Sequence, residues 1–239
     1  MAIEFRRFTN SKYAVLVSGL VFLCYILGYV MLTTIDKTQV NSIRVLCGST
    51  YTVLTQFGML VFSPVVISLF SNDYRDRNIL FYMASGYNAA KFFLYRVMLA
   101  IASFAIGIIA VSTLVATFFG DYSILLPVTI CYLLVSTCFI IEISLWAFVF
   151  KSFVSAFFTN FAVWLISIVL SAVGGVFRYA AYYDASSPLY REILDLLYGE
   201  SRVDALMLYL NSALYNSIVF IIALSLIILF RKRWVKNGV

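Results

Sequence analysis

Long apolar stretches alternate with short charged segments along the whole chain. Five stretches carry no Asp, Glu, Lys or Arg over 23 to 28 residues each: 13–35, 45–72, 97–120, 152–177 and 205–230. A sixth, between Asp121 and Lys151, is interrupted only by Glu142. About 20 apolar residues are enough for a helix to cross a bilayer. The pattern therefore predicts an all-α polytopic membrane protein, with six transmembrane helices in one membrane domain over residues 1–239.

The segment between spans two and three is crowded with charge and predicts a short cytoplasmic helix. Asn72 suits its N-cap, and Asp73 and Asp76 in its first turn would complement the positive end of the helix. Asp73 and Arg77 are four residues apart, so we expect them to pair on one face. The helix should end near Ala84. Its apolar side chains exceed what a solvated loop needs, so we expect another surface to cover them. They are Ile79, Leu80, Phe81 and Met83.

The segment between spans five and six, residues 178–204, predicts an extracellular helix. Ser187 suits its N-cap, Pro188 its first turn and Gly199 the position just after its end. The apolar side chains of this helix fall on one face, so we expect it to lie against the membrane or dip into it. Three of them are our candidates for an extracellular gate: Leu189, Ile193 and Leu197.

The composition also favours a bilayer environment. Hydrophobic residues make up 63% of the chain and charged residues only 12%, whereas soluble domains contain about 25% charged residues. Most of the 17 Lys and Arg residues lie in segments that would share a side with the two termini. Because basic residues accumulate on the cytoplasmic side, we expect both termini in the cytoplasm, with residues 1–12 in the headgroup layer. This asymmetry explains the net charge of +6 without a nucleic-acid partner.

Several kinds of chemistry are missing from the sequence. The chain contains no histidine, which excludes a His-based catalytic dyad, a haem ligand set and an ordinary zinc site. The sequence GYNAAK at residues 86–91 lacks the first glycine and the final Ser or Thr of a phosphate-binding loop. We therefore expect no metal and no cofactor in this chain, and no nucleotide hydrolysis by it. The cysteines are expected to be buried apolar residues: Cys24, Cys47, Cys131 and Cys138.

Glu142 is the one ionisable side chain inside a predicted span. A charge at such a position costs roughly 2.5 to 3.5 kcal/mol on insertion scales. Two interpretations remain open: a contact with a cation, a proton or cargo, and a hydrogen bond to a Ser, Thr or Tyr of another helix. Together with Gln56 of span two, Glu142 is our candidate for lining a translocation path.

The chain resembles the permease subunits of the type-2 ABC exporter superfamily, which includes systems for antimicrobial-peptide export and self-immunity. The resemblance rests on six spans with inside termini, the acids Asp73 and Asp76 after span two, the sequence MASGY at residues 83–87, and Lys91 before span three. It covers the whole chain as topology and about 25 residues as motif.

The resemblance implies a coupling helix within residues 72–91 that docks on a separate cytosolic ATPase. Four charged residues would orient this helix: Asp73, Arg75, Asp76 and Arg77. Its buried anchor would be formed by Ile79, Leu80 and Met83. The implied partners are two P-loop ATPase chains, which hold the ATP and magnesium, and a second permease that is the same chain or a related one. The implied cargo is amphiphilic, such as a peptide, a drug or a lipid-like molecule.

Two other functional classes compete with this interpretation. An ion- or proton-coupled secondary carrier would use Glu142, but such carriers usually hold several intramembrane charges and internal repeats. This chain has one such charge and no detectable repeat. A membrane enzyme is disfavoured by the missing histidines and by the single acid within the spans. The sequence therefore favours the ATP-driven permease.

Overall fold

The structure is a computed structural model that describes residues 13–38, 40–199 and 204–238. This part of the chain is helical and contains no β-strand. The helices are α1 (Tyr13–Val30, continued by a π-helical turn over Met31–Ile35), α2 (Ile43–Arg75), α3 (Asn78–Ala84), α4 (Ala89–Phe119), α5 (Leu125–Val149), α6 (Phe153–Val173), α7 (Pro188–Tyr198), α8 (Ala205–Leu229) and α9 (Arg231–Gly238). A short 3-10 segment, Gly175–Ala181, follows α6.

Six helices of the described chain are long and apolar enough to cross a membrane: α1 with its π-helical turn, α2, α4, α5, α6 and α8. The predicted all-α fold with six candidate spans is therefore confirmed. The side on which each terminus lies stays a prediction. Residues 1–12, predicted to lie in the headgroup layer, fall outside the described residues.

The chain divides into two compact units. The first consists of Met1–Gly58, Ala102–Ser136 and Tyr182–Leu210, and the second of Met59–Ile101, Thr137–Ala181 and Asn211–Val239. Long helices such as α2 contribute residues to both units.

Helices of the first unit approach one another closely through small and polar residues. The hydroxyl of Ser49 donates to the Gly28 carbonyl at 2.9 Å, and the Tyr132 hydroxyl donates to the Cys47 carbonyl at 2.8 Å. A Cβ added to Gly28 would lie 2.9 Å from the Thr50 backbone nitrogen. In a bilayer the hydrophobic effect does not drive helices together. Membrane helix bundles therefore rely on small residues at the contacts and on hydrogen bonds between helices.

The second unit has a core rich in aromatic rings. Its fully buried phenylalanines are Phe62, Phe70, Phe92, Phe93 and Phe148. Two pairs of buried polar groups meet there: the Asn160 amide donates to the Ser63 hydroxyl at 2.7 Å, and the Tyr74 hydroxyl donates to the Phe148 carbonyl at 2.8 Å. The partners are needed because an unpaired buried polar group is costly.

The ends of α7 and the start of α8 follow local sequence signals. Ser187 is extended before Pro188, and Gly199 after the last residue has φ of 87°, a left-handed conformation that favours glycine. A helix is thus present over the predicted residues 188–198, and its side of the membrane stays a prediction. The Asp204 carboxylate accepts from the backbone N–H groups of Leu206 at 3.1 Å and Met207 at 3.3 Å, so it caps α8.

We predict that Gly28→Ala lowers the thermal stability of the detergent-purified protein. The added methyl group would meet the Thr50 backbone, which cannot rotate away as a side chain can, and overpacking of this kind costs about 1 to 3 kcal/mol. Gly19→Ala is the matched control on the same helix, because no atom lies within 4 Å of a Cβ there. Equal unfolding temperatures for the two variants would contradict the close approach of α1 and α2.

Candidate functional site

The chain turns sharply between α2 and α3. The Asp76 N–H donates to the Asn72 carbonyl at 2.8 Å, so Asn72 lies inside α2 and is not the predicted N-cap. For the same reason, Asp73 and Asp76 come at the end of a long helix rather than in the first turn of a short one. The turn is made at Arg77, whose φ of 55° is left-handed. A left-handed conformation costs a non-glycine residue free energy, so neighbouring contacts must stabilise the turn.

Asp73 provides one of these contacts through a buried ion pair with Arg96 of α4. Their side chains are only 7% and 13% exposed. The Asn78 amide, at the start of α3, donates to Asp73 Oδ1 at 3.2 Å. The predicted pairing of Asp73 with Arg77 is wrong, because the left-handed residue ends the helical geometry that places side chains four apart on one face.

Arg96 also binds α3 directly. Its guanidinium donates to the Tyr82 hydroxyl at 2.7 Å and lies over the rings of Tyr82 and Phe92, 5.6 Å and 5.8 Å from their centroids. One side chain of α4 therefore joins the end of α2, through Asp73, to the middle of α3. Sequence reasoning missed both Arg96 and Tyr82. One signal was available: if the Asp73 carboxylate is buried between apolar helices, it needs a cation. Arg96 is one of the few basic residues near it in the sequence.

The remaining charges of the predicted coupling segment are exposed. Arg75 Nε lies 3.2 Å from Asp76 Oδ1, and the two side chains are 74% and 49% exposed. Such a pair contributes little to stability. Arg77 is also exposed.

One face of α3 is apolar and uncovered. Leu80, Phe81 and Met83 are 47%, 67% and 40% exposed, whereas Ile79 and Tyr82 are buried. Ile79 therefore packs inward and cannot belong to an external anchor as predicted. Phe81, which was not among the predicted anchor residues, is exposed instead. We call Leu80, Phe81 and Met83 the stub face.

Glu142 lies on α5 beside a cavity of about 180 Å³. Its nearest polar partner is the Cys138 thiol, which donates to Glu142 Oε1 over 3.7 Å from one turn earlier in the same helix. The predicted bond from another helix does not occur among the described residues. The rest of the lining comes mainly from apolar side chains of α5, α6 and α8, with one hydroxyl, that of Ser167. The carboxylate thus faces a small, largely apolar space.

Gln56 belongs to a ladder of contacts along α2. Its amide donates to Asp184 Oδ1 at 3.2 Å, and one turn earlier the Thr52 and Tyr190 hydroxyls share a hydrogen bond of 2.7 Å. A further turn back, Gly48 lies against the Tyr198 ring. Residues four apart on a helix share a face, so one stripe of α2 holds the segment that carries α7. Gln56 has a structural partner here; a role in a translocation path stays a prediction.

The predicted gate residues Leu189, Ile193 and Leu197 are all buried. The apolar face of α7 therefore packs into the protein; the position of the helix relative to the membrane stays a prediction. The reason is the polar ladder, which turns this face inward. Burial also raises the pKa of Tyr190, so its phenol stays protonated and able to share a hydrogen bond with Thr52.

The described residues include six helices that are long and apolar enough to span a membrane, and they leave the stub face of α3 exposed. They contain no group of His, Cys, Asp or Glu residues that could hold a metal ion. The chain belongs to the peptide export permease protein YydJ family, which matches it over residues 1–239. Membership makes the chain a permease, a transport protein rather than an enzyme. A Bacillus subtilis (strain 168) protein described as "Probable peptide export permease protein YydJ" is 26% identical over 250 residues, covering 100% of both chains. No solved structure matches the chain.

We predict that Arg96→Gln destabilises the protein strongly, because it leaves the Asp73 carboxylate buried without its cation. Breaking one partner of a buried pair costs about 3 to 5 kcal/mol, which should appear as a lower unfolding temperature in detergent. The matched control is Arg75→Gln, since that exposed pair contributes at most about 1 kcal/mol. The double variant Asp73→Leu/Arg96→Met should recover part of the loss. Equal effects of the two single variants would contradict the role of Arg96.

Proposed function

We propose that the chain is the transmembrane subunit of an ABC-type exporter, which moves an amphiphilic peptide using ATP hydrolysed by separate cytosolic chains. The observation that carries this proposal is the stub face: three large apolar side chains exposed on a helix that is tied to two membrane spans. Such a surface needs a partner. The printed description of the family and of the Bacillus subtilis relative, peptide export, supports the class of cargo.

The contacts of α3 suit a part that transmits force. Asp73, Asn78, Tyr82 and Arg96 link α3 to α2 and α4 through a buried pair and its hydrogen bonds. A helix held in this way cannot move without moving the ends of both spans. Closure of an ATPase pair that grips the stub face would therefore tilt α2 and α4 and change access to the path.

The proposed assembly contains three further chains. Two ATPase chains would supply the nucleotide site, with its ATP and magnesium, and a second permease, the same chain or a related one, would complete the path. In this proposal the stub face is at the cytoplasmic surface and the buried face of α7 closes the path on the other side of the membrane. Leu189, Ile193 and Leu197 would be exposed only when that closure opens.

We predict that Phe81→Asp or Leu80→Asp uncouples transport from ATP hydrolysis, because a charge on the stub face cannot be buried in a partner groove. Peptide export by reconstituted permease and ATPase should fall far more than membrane insertion of the permease. The matched control is Ser85→Asp, which adds the same charge at an exposed position just after α3 and removes no apolar contact. Export that is unchanged in both stub-face variants would overturn the proposal.

Asp76→Lys tests the charged edge of the same surface. Asp76 is exposed and pairs only with its exposed neighbour Arg75 among the described residues, so its reversal should leave folding intact. If the edge orients an ATPase, the reversal should weaken co-purification of the ATPase, and this weakening should shrink at high salt. Reversal of Asp73 would be uninformative, because that carboxylate is buried in the ion pair.

A second candidate function, an ion- or proton-coupled carrier, is favoured by the cavity beside Glu142. We predict that Glu142→Gln, which keeps the size of the side chain, abolishes the pH dependence of transport if a proton binds there. Transport driven by an imposed pH gradient in vesicles without any ATPase would favour the carrier. Unchanged transport and unchanged pH dependence in Glu142→Gln would remove Glu142 from either mechanism.

A further inference from the structure

The C-terminal helix α9 presents charge on the outside and one aromatic ring on the inside. It begins two residues after the last residue of α8, at the end of a candidate membrane span. The exposed cations are Arg231, Lys232, Arg233 and Lys236. Trp234 is only 3% exposed. Basic residues that directly follow a membrane span are suited to contact anionic headgroups.

Trp234 connects α9 to α3 through the ring of Phe92. Its ring centroid lies 5.7 Å from that of Phe92, and the Phe92 ring lies 5.2 Å from Tyr82 on α3. The helix α9 also packs directly against α3. Because Arg96 also binds Tyr82, α3 contacts both the buried ion pair and the C-terminal helix.

The four cations of α9 have no acidic partner within the described chain. None forms an ion pair there with Asp or Glu, and Arg233 lies over the Phe230 ring at 5.5 Å. Arg96 lies over the same Phe92 ring that Trp234 contacts, and its charge is already paired with Asp73. The charge of α9 is therefore directed outward and needs an external anion.

We propose that α9 is a lipid-dependent clamp on α3, meaning a helix that holds α3 in place only when it is bound to lipid. Its four cations bind anionic phospholipid headgroups, and this binding keeps the Trp234 ring packed against Phe92 and α3. A membrane surface is the partner that the position of α9 favours, because the helix follows a span almost without a linker. Each basic residue near an anionic surface strengthens association about fivefold. Without anionic lipid, α9 should leave and α3 should become more mobile. The consequence for transport rests on the proposed function, but the clamp itself does not.

The motion of α3 can be measured without an ATPase. The four native cysteines are buried and free, so a cysteine-free background can carry a single spin label at Phe81→Cys. The labelled protein is reconstituted in vesicles of phosphatidylcholine alone or of phosphatidylcholine mixed with phosphatidylglycerol, and electron paramagnetic resonance reports label mobility. A label at Phe118→Cys, an exposed position in the other unit, controls for a general effect of the bilayer.

The proposal expects the label at position 81 to lose mobility when phosphatidylglycerol is added, and the label at position 118 to be unaffected. Replacing all four cations with Gln should abolish the response, and Trp234→Ala should leave position 81 mobile in both vesicles. Trp234→Phe should restore the response, which separates seating of the ring from a loss of folding.

Three results would overturn the clamp: equal mobility at position 81 in the two vesicles, a full response in the four-Gln variant, or a response that needs a purified ATPase. The last would make α9 a protein-binding surface. If the lipid response occurs but no ATPase binds the protein, the clamp stands and the proposed exporter function fails. The two proposals can thus fail separately.

Discussion

The ion pair between Asp73 and Arg96 is the interaction on which the rest of the candidate site depends. Two buried charges are expensive unless they are paired and their remaining hydrogen-bonding groups are satisfied. Here Asn78 donates to the carboxylate and Tyr82 accepts from the guanidinium. Both of these partners lie in α3, so the helix is positioned by the need to satisfy the pair. This also explains how Arg77 can hold a left-handed conformation without being a glycine.

The protein uses two short amphipathic helices in opposite ways. In α7 the apolar face is buried and the ladder along α2 fixes it, through Gln56 and Asp184 and through Thr52 and Tyr190. In α3 the large apolar side chains Leu80, Phe81 and Met83 remain exposed. The buried apolar face of α7 stabilises the fold. The exposed apolar face of α3, on a helix fixed to two spans, is suited to binding a partner.

The six spans and α7 could be predicted because they depend on local properties: uninterrupted apolar length, a proline at the start of a helix and a glycine at its end. The site could be predicted only in outline. The predicted N-cap at Asn72 is wrong because α2 continues beyond it to Arg75, past the buried Tyr74. The partner of Asp73 depends on α4 lying alongside α2, which no spacing in the sequence reveals. For the same reason the sequence did not show that Ile79 is buried and Phe81 exposed. The contact between Tyr82 and Arg96 decides which side of α3 faces inward.

The central claim is that the stub face is gripped by a cytosolic ATPase. The most direct measurement replaces Phe81 with a photo-crosslinking amino acid in cells, irradiates them, and identifies the adducts by mass spectrometry. The account predicts a covalent adduct with a P-loop ATPase, formed from the cytoplasmic side and lost when Leu80 is changed to Asp. Adducts with phospholipid alone, or labelling of position 81 by a reagent that cannot enter the cell, would contradict it.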